Sequence, residues 1–129
     1  MGKIYEAIQQ PLGRRIALKV MDLGFAEDLD PDFQKRFFLE ASTCAKLTHP
    51  NTIRVFDYGS SGGESDTFFI AMEFIDGATL LETIEADAPL NPLRVIRIGR
   101  QICSSLREAH DMGLIHRDLK PSNVLLTAH

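Results

Sequence analysis

At 129 residues the chain has the length of one ordinary domain, and its 44% hydrophobic and 25% charged residues are a globular balance. A net charge of -4 at pH 7 argues against nucleic acid as the main partner, because phosphate binding needs a basic footprint. No apolar run approaches the roughly 18 residues of a membrane span and no secretory-signal core opens the chain. Cys44 and Cys103 are the only cysteines and read as reduced core thiols, so a cytoplasmic setting is expected.

Repeats and low-complexity tracts are absent from the sequence. Lys3 to Ile8 alternates weakly, as a strand does, and Pro11-Leu12-Gly13 supplies a turn. Arg15 to Met21 reads as the returning strand, with Ile16, Leu18 and Val20 on one side and Ala17, Lys19 and Met21 on the other. Asp30-Pro31 is a helix start, a capping side chain followed by a proline in the first turn. The helix is predicted to run to about Leu47, where His49-Pro50-Asn51 breaks it. Thr52 to Tyr58 and Phe68 to Phe74 are two further strands, joined by a polar, glycine-rich loop over Gly59 to Asp66. Asp76-Gly77 ends the strand region, near a hinge at residues 73–78, and a short helix is predicted over Leu80 to Ile84. Asn91-Pro92 opens a long helix to about His110, stopped at Gly113, with Val95, Ile98, Ile102, Leu106 and Ala109 as its buried stripe. Arg94, Arg97 and Arg100 on that helix read as a solvated face.

The densest chemistry is the run His116-Arg117-Asp118-Leu119-Lys120-Pro121-Ser122-Asn123. It places a carboxylate, an ammonium and an amide on one short loop. Such groups can take a hydroxyl proton, neutralise a phosphate and hold a metal ion, and phosphoryl transfer needs this kind of positioning and charge stabilisation. Asp, Asn and Pro also populate ordinary turns, but the run fits H-R-D-L-x-x-x-N throughout. On these residues the chain resembles a protein kinase. Its lysine resembles the serine/threonine branch, since tyrosine-specific members usually carry HRDLAARN. Small-molecule phosphotransferases of similar fold read H-G-D-[LI]-H-x-x-N, which Arg117 and Lys120 do not match.

The resemblance implies an α+β, protein-kinase-like fold. An antiparallel N-lobe sheet with one helix would occupy residues 1–75, and the hinge and first helices of a mainly α C-lobe would occupy residues 76–129. It also implies roles. Asp118 would accept or orient the proton of the substrate hydroxyl, Lys120 would neutralise the transferring phosphoryl group, and Asn123 would bind Mg²⁺. His116 would hydrogen-bond the backbone. Lys19 stands in Ile16-Ala17-Leu18-Lys19, close to V-A-I-K; by itself a strand lysine is as readily an edge residue facing solvent. Phe33, Phe37, Glu40, Cys44 and Leu47 share one helical face, and a carboxylate on that face either meets a cation or reaches water at its rim. The resemblance favours a Lys19–Glu40 pair that holds Lys19 against the ATP phosphates. Gly2 and Ile4 match the last glycine and the branched residue of the glycine-rich hairpin. Met72 would guard the rear of the adenine pocket, Glu73 and Ile75 would offer backbone groups to adenine, and Ile4, Ala17 and Leu125 would sandwich the ring.

The resemblance covers about half of a kinase domain. The first two glycines of the hairpin and the D-F-G segment with its metal-binding aspartate are not in the sequence, so an internal fragment is expected, inactive by itself. The expected function is transfer of the γ-phosphoryl of MgATP to Ser/Thr hydroxyls of proteins, with ATP and Mg²⁺ as cofactors and a protein as substrate. The alternative is a non-catalytic, kinase-like nucleotide-binding or scaffolding module.

Overall fold

A computed structural model describes residues 2–22, 32–62 and 67–127. The chain divides into two compact units, one of residues 1–48 and 53–74, the other of residues 49–52 and 75–129.

In the first unit, β1 (Gly2–Gln9) and β2 (Arg14–Asp22) form an antiparallel hairpin. Its turn closes where the Gly13 N–H donates to the Gln9 carbonyl at 2.8 Å. Gly13 sits at φ +68°, a left-handed conformation open to glycine at no steric cost. β3 (Val55–Ser60) and β4 (Thr67–Glu73) complete an antiparallel sheet in the order β1-β2-β4-β3. β4 is flanked on both sides and apolar on both faces, with Phe68 at 3% and Ala71 at 4% exposure. β3 starts later than the expected Thr52, and its register against β4 shifts between Val55 and Asp57.

One helix, α1 (Phe33–Cys44), packs on this sheet. Phe33, Phe37 and Phe38 surround Phe68 with ring centroids at 6.0, 5.0 and 5.9 Å, and Phe38 reaches Tyr58 of β3 at 6.2 Å. Aromatic pairs at such spacings add about 0.5–1.5 kcal/mol each beyond the area they bury, so this cluster is the main bond between helix and sheet. The expected start at Asp30-Pro31 lies outside the described residues. The end comes at Cys44 and not at Leu47. There the Lys46 and Leu47 N–H groups donate to the Thr43 and Cys44 carbonyls at 3.0 and 3.1 Å, an i to i−3 tightening that closes the helix. Leu47 is still buried, from the turn that follows.

From Ile75 on, the second unit opens with a strand where the sequence suggested only a strand end. β5 (Gly77–Thr79) pairs antiparallel with β6 (Leu125–Thr127), a strand the sequence reading did not include. α2 (Leu80–Asp87) is longer than the predicted Leu80 to Ile84. Its N-terminus is a reciprocal capping box. The Glu82 N–H donates to Thr79 Oγ1 at 3.1 Å, and the Thr79 N–H donates to Glu82 Oε2 at 2.7 Å. The Thr79 N–H and then the Thr79 hydroxyl, both donating to the Glu82 carboxylate, hold it below the usual carboxylate range.

α3 (Pro92–Asp111) follows the prediction closely: Asn91 caps it by accepting the Leu93 N–H at 2.8 Å, and Gly113 at φ +80° ends it. Its packing differs from the prediction. No α3 residue is buried; Ile98, Ile102, Leu106 and Ala109 are half-buried and Val95 is exposed. Arg94 of the basic stripe reaches Asp87 at 3.9 Å on the surface. The cysteines are free thiols, and only Cys44 is partly enclosed, so the core-thiol expectation fails for exposed Cys103. Burial, and then the charge of Glu40, push the Cys44 thiol above its ordinary value.

Candidate active site

The loop after α3 gathers three of the groups the sequence nominated. Asp118 Oδ1 lies 3.4 Å from Lys120 Nζ. Asn123 donates its amide N–H to the Asp118 carbonyl at 2.8 Å and to Asp118 Oδ2 at 3.2 Å. The carboxylate is therefore held from two sides. Each of its oxygens keeps acceptor capacity for a hydroxyl proton. The Asn123 nitrogen is committed to Asp118, so its amide oxygen is the end available to a cation. Asp118 and Lys120 side chains are 67% and 54% exposed, so their ion pair is screened and adds little stability. Its value is positional.

Local backbone builds this cluster. Arg117 stands at φ +68°, the one non-glycine residue with positive φ among those described. That conformation costs a side-chain-bearing residue about 1–3 kcal/mol and is sustained only where surrounding contacts fix it. On its far side the Asp118 N–H donates to His116 Nδ1 at 3.2 Å, so His116 braces the loop through the backbone as expected. A single 3₁₀ turn, Pro121–Asn123, then presents Asn123, whose N–H donates to the Lys120 carbonyl at 2.9 Å. The Val124 carbonyl accepts the Leu80 N–H at 2.8 Å, and β6 follows directly. The loop is thus tied to the start of α2 and to β5.

In the first unit, register decides which side chains share a surface. Ile4 pairs with Lys19, Lys19 with Ile70, and Ala17 with Met72. Directly opposed residues point to the same face, so Gly2, Ile4, Ala17, Lys19 and Met72 lie on one face of the sheet. Gly2 passes close to Lys19: a Cβ there would stand 3.1 Å from Lys19 Cε. Glu73 ends β4 with its N–H donated to the Arg54 carbonyl at 2.8 Å, so the backbone group it has to present is its carbonyl. Ile75 follows in the connecting stretch, and Leu125 sits in β6 opposite Thr79.

Among the described residues no ion pair within 4.0 Å joins Lys19 to Glu40. Glu40 is exposed, and the buried centre of α1 is its neighbour Ala41. The expected pair is therefore open here. The helical face turns on Phe37 and Ala41, which leaves Glu40 at its rim.

By sequence alone His49-Pro50-Asn51 is only a helix breaker. In the second unit this segment is a polar anchor on α3. The His49 N–H donates to Glu108 Oε2 at 3.0 Å, His49 Nε2 meets Ser104 Oγ at 2.8 Å, and Thr52 Oγ1 meets Ser105 Oγ at 2.5 Å. His49 Nδ1 accepts the Asn51 N–H at 3.0 Å, so Nε2 carries the proton and donates to Ser104. Nothing short of the fold brings Thr52 beside Ser105, and no sequence signal would have found it. The capping box was legible as Thr79-Leu80-Leu81-Glu82. Among the described residues no cluster of three or more His, Cys, Asp or Glu is placed to hold a metal. The donor set fits Mg²⁺ through the Asn123 oxygen alone, in the manner of an ion that keeps waters and substrate phosphates as its other ligands. Nor is any helix long and apolar enough to cross a membrane among the described residues.

Comparison with known proteins identifies the family and the fold. A family model described as "Protein kinase domain" matches residues 1–129. The chain is 37% identical to the serine/threonine-protein kinase PrkC of Bacillus subtilis, covering 98% of this chain and 19% of that protein. It is 40% identical to the serine/threonine-protein kinase PknA of Mycobacterium tuberculosis, covering 98% of this chain and 30% of that one. The fold is similar to the crystal structure of the Mycobacterium tuberculosis PknI kinase domain, with a TM-score of 0.84 at 32% identity, over 100% of this chain and 51% of that one. The chain thus spans less than a third of these curated relatives and about half of a solved kinase domain. With a family model matched from first residue to last and relatives at these identities, the chain belongs to the protein kinase domain family.

Proposed function

We propose that this chain is the nucleotide-binding and catalytic-loop portion of a serine/threonine protein kinase domain. Its parent protein would move the γ-phosphoryl of ATP to Ser or Thr hydroxyls of proteins, in the cytoplasm, where ATP is abundant. The observation that carries the reading is the closed Asp118–Lys120–Asn123 cluster, with the lysine typical of the serine/threonine branch. The names of the relatives support it.

Protein kinases generally use ATP and Mg²⁺. In this reading Ile4, Ala17 and Met72 receive the adenine ring, with Leu125 as a further wall, and Glu73 and Ile75 offer backbone groups to its edge. Lys19, beside Gly2, meets the phosphates, with Glu40 as the carboxylate that would restrain it. Asp118 accepts the hydroxyl proton of the protein substrate as the new P–O bond forms and the bond from the γ-phosphorus to the β–γ bridging oxygen breaks, with ADP as the leaving group. Lys120 offsets charge on the transferring group. Asn123 offers its amide oxygen to Mg²⁺, which when bound neutralises charge on the phosphate oxygens. Transfer of labelled phosphate to a Ser/Thr protein by the parent kinase tests the reading. Asp118→Asn is expected to lower the rate by about 10²-fold or more while MgATP still binds, as removal of a general base does. Equal transfer by the variant overturns the role of Asp118.

A second reading, a nucleotide-binding module without transfer, is favoured by one observation: Glu40 is exposed and forms no ion pair with Lys19. Binding of MgATP, followed by thermal stabilisation, together with absence of transfer by the parent kinase, would select it.

A further inference from the structure

The end of β4 is held by contacts that the roles above do not use. Arg15 on β2 donates from Nε to Glu6 Oε1 on β1 at 2.6 Å. The same guanidinium lies over the ring of Phe74, 3.8 Å from its centroid. The register explains how one side chain does both. Ile16 pairs with Glu73 at the last rung between β2 and β4, so Arg15 stands one step on, opposite Phe74. Ile8 pairs with Arg15, which places Glu6 diagonally across on the same face. A guanidinium donates in its plane and stacks through its face, so the two contacts do not compete.

The other flank of β4 is fixed as well. The Glu73 N–H donates to the Arg54 carbonyl at 2.8 Å, and the Arg54 N–H donates to Glu73 Oε2 at 3.2 Å. The residue that ends β4 is thereby pinned toward β3 through Arg54, while its successor Phe74 is pinned toward β2 through Arg15. What remains of Glu73 to present is its carbonyl oxygen, set at a fixed height along the strand.

We propose that Arg15, held by Glu6 and stacked on Phe74, is a positioning residue that fixes the Glu73 carbonyl as the acceptor for the exocyclic amino group of adenine. The proposal rests on the reading of Glu73 as a nucleobase contact. In that reading Arg15 is not one of the residues set against the nucleotide; it acts through Phe74 on the strand end. Its effect is therefore on base recognition and not on phosphate binding or transfer.

The test is calorimetric titration of the full chain with MgATP and with MgITP, whose base carries a carbonyl where adenine carries the amino group. The unsubstituted protein is expected to prefer ATP. Arg15→Ala is expected to weaken ATP about fivefold and to leave ITP nearly unchanged, the size of a lost cation–π contact and its ion pair at a half-exposed site. Phe74→Leu, which keeps an apolar side chain, should do the same, and the double substitution should add little to either alone. Equal losses for ATP and ITP, or no change in either, overturn the role of Arg15 while leaving nucleotide binding standing. No preference for ATP in the unsubstituted protein, or no nucleotide binding at all, overturns the base-reading role of Glu73 and this proposal with it.

Discussion

At Glu82 a single exposed carboxylate accepts hydrogen bonds from the Thr79 N–H and hydroxyl, at 2.7 and 3.1 Å. Its pKa in the folded chain lies below its ordinary value because those donors favour the charged form. A depressed folded pKa means stabilisation that is present above the unfolded pKa and lost as pH falls through the folded one. At neutral pH the chain should therefore melt higher than Glu82→Gln. The gap in Tm should close as pH drops below the ordinary glutamate range; a gap independent of pH would show that charge plays no part. Cys44 has the opposite sign for a different reason. Burial and the nearby Glu40 charge both oppose the thiolate, so this thiol is a packing group on α1 and a poor nucleophile.

Strand and helix signals were legible wherever the local pattern matched the tertiary demand. The β1–β2 hairpin, β4 and α3 follow from alternation, glycine turns and the Asn91-Pro92 start because each signal is local. β5 and β6 escaped because three-residue strands have no period to read. What makes them strands is mutual approach. At Gly77 a Cβ would lie 2.1 Å from the Leu126 carbonyl oxygen, backbone against backbone, so only glycine fits. Gly77→Ala should force the pair apart at a cost of about 1–3 kcal/mol in urea unfolding. Since β6 follows the Asn123 turn, the variant should also loosen the Asp118–Asn123 loop, seen as faster amide exchange over residues 118–124. An unchanged midpoint would mean that β5 and β6 do not need this contact. The candidate site divides in the same way. The contiguous run Asp118 to Asn123 was readable because one loop carries all three groups. The Lys19–Glu40 pair was expected from the sequence and is open in the structure, because a helix face predicted from spacing leaves the rotation of its rim undetermined by a residue or so.

At the scale of the molecule, both units expose large apolar side chains among the described residues, Ile4, Leu12 and Leu39 in the first and a longer series in the second. Leu93 and Ile96 on α3 are 72% and 57% exposed, and Ile115 and Leu119 in the following loop are 68% and 51% exposed. Patches of this kind associate or bind dyes. The chain should bind a hydrophobic fluorophore and sediment in a concentration-dependent manner, and Leu93→Lys with Ile96→Lys should reduce both. Unaltered sedimentation in the double variant would place the sticky surface elsewhere.

The polypeptide leaves its first unit after Thr48, contributes four residues to the second, and returns at Ile53. Those four residues carry His49 and Thr52, which engage Glu108, Ser104 and Ser105. The units are consequently not interchangeable cassettes. A chimera spliced only at Phe74–Ile75, with the sheet from one kinase and the helices from another, would put a foreign insert against α3. A graft intended to be transplanted intact has to carry residues 49–52 along with residues 75–127, joined by two extra seams.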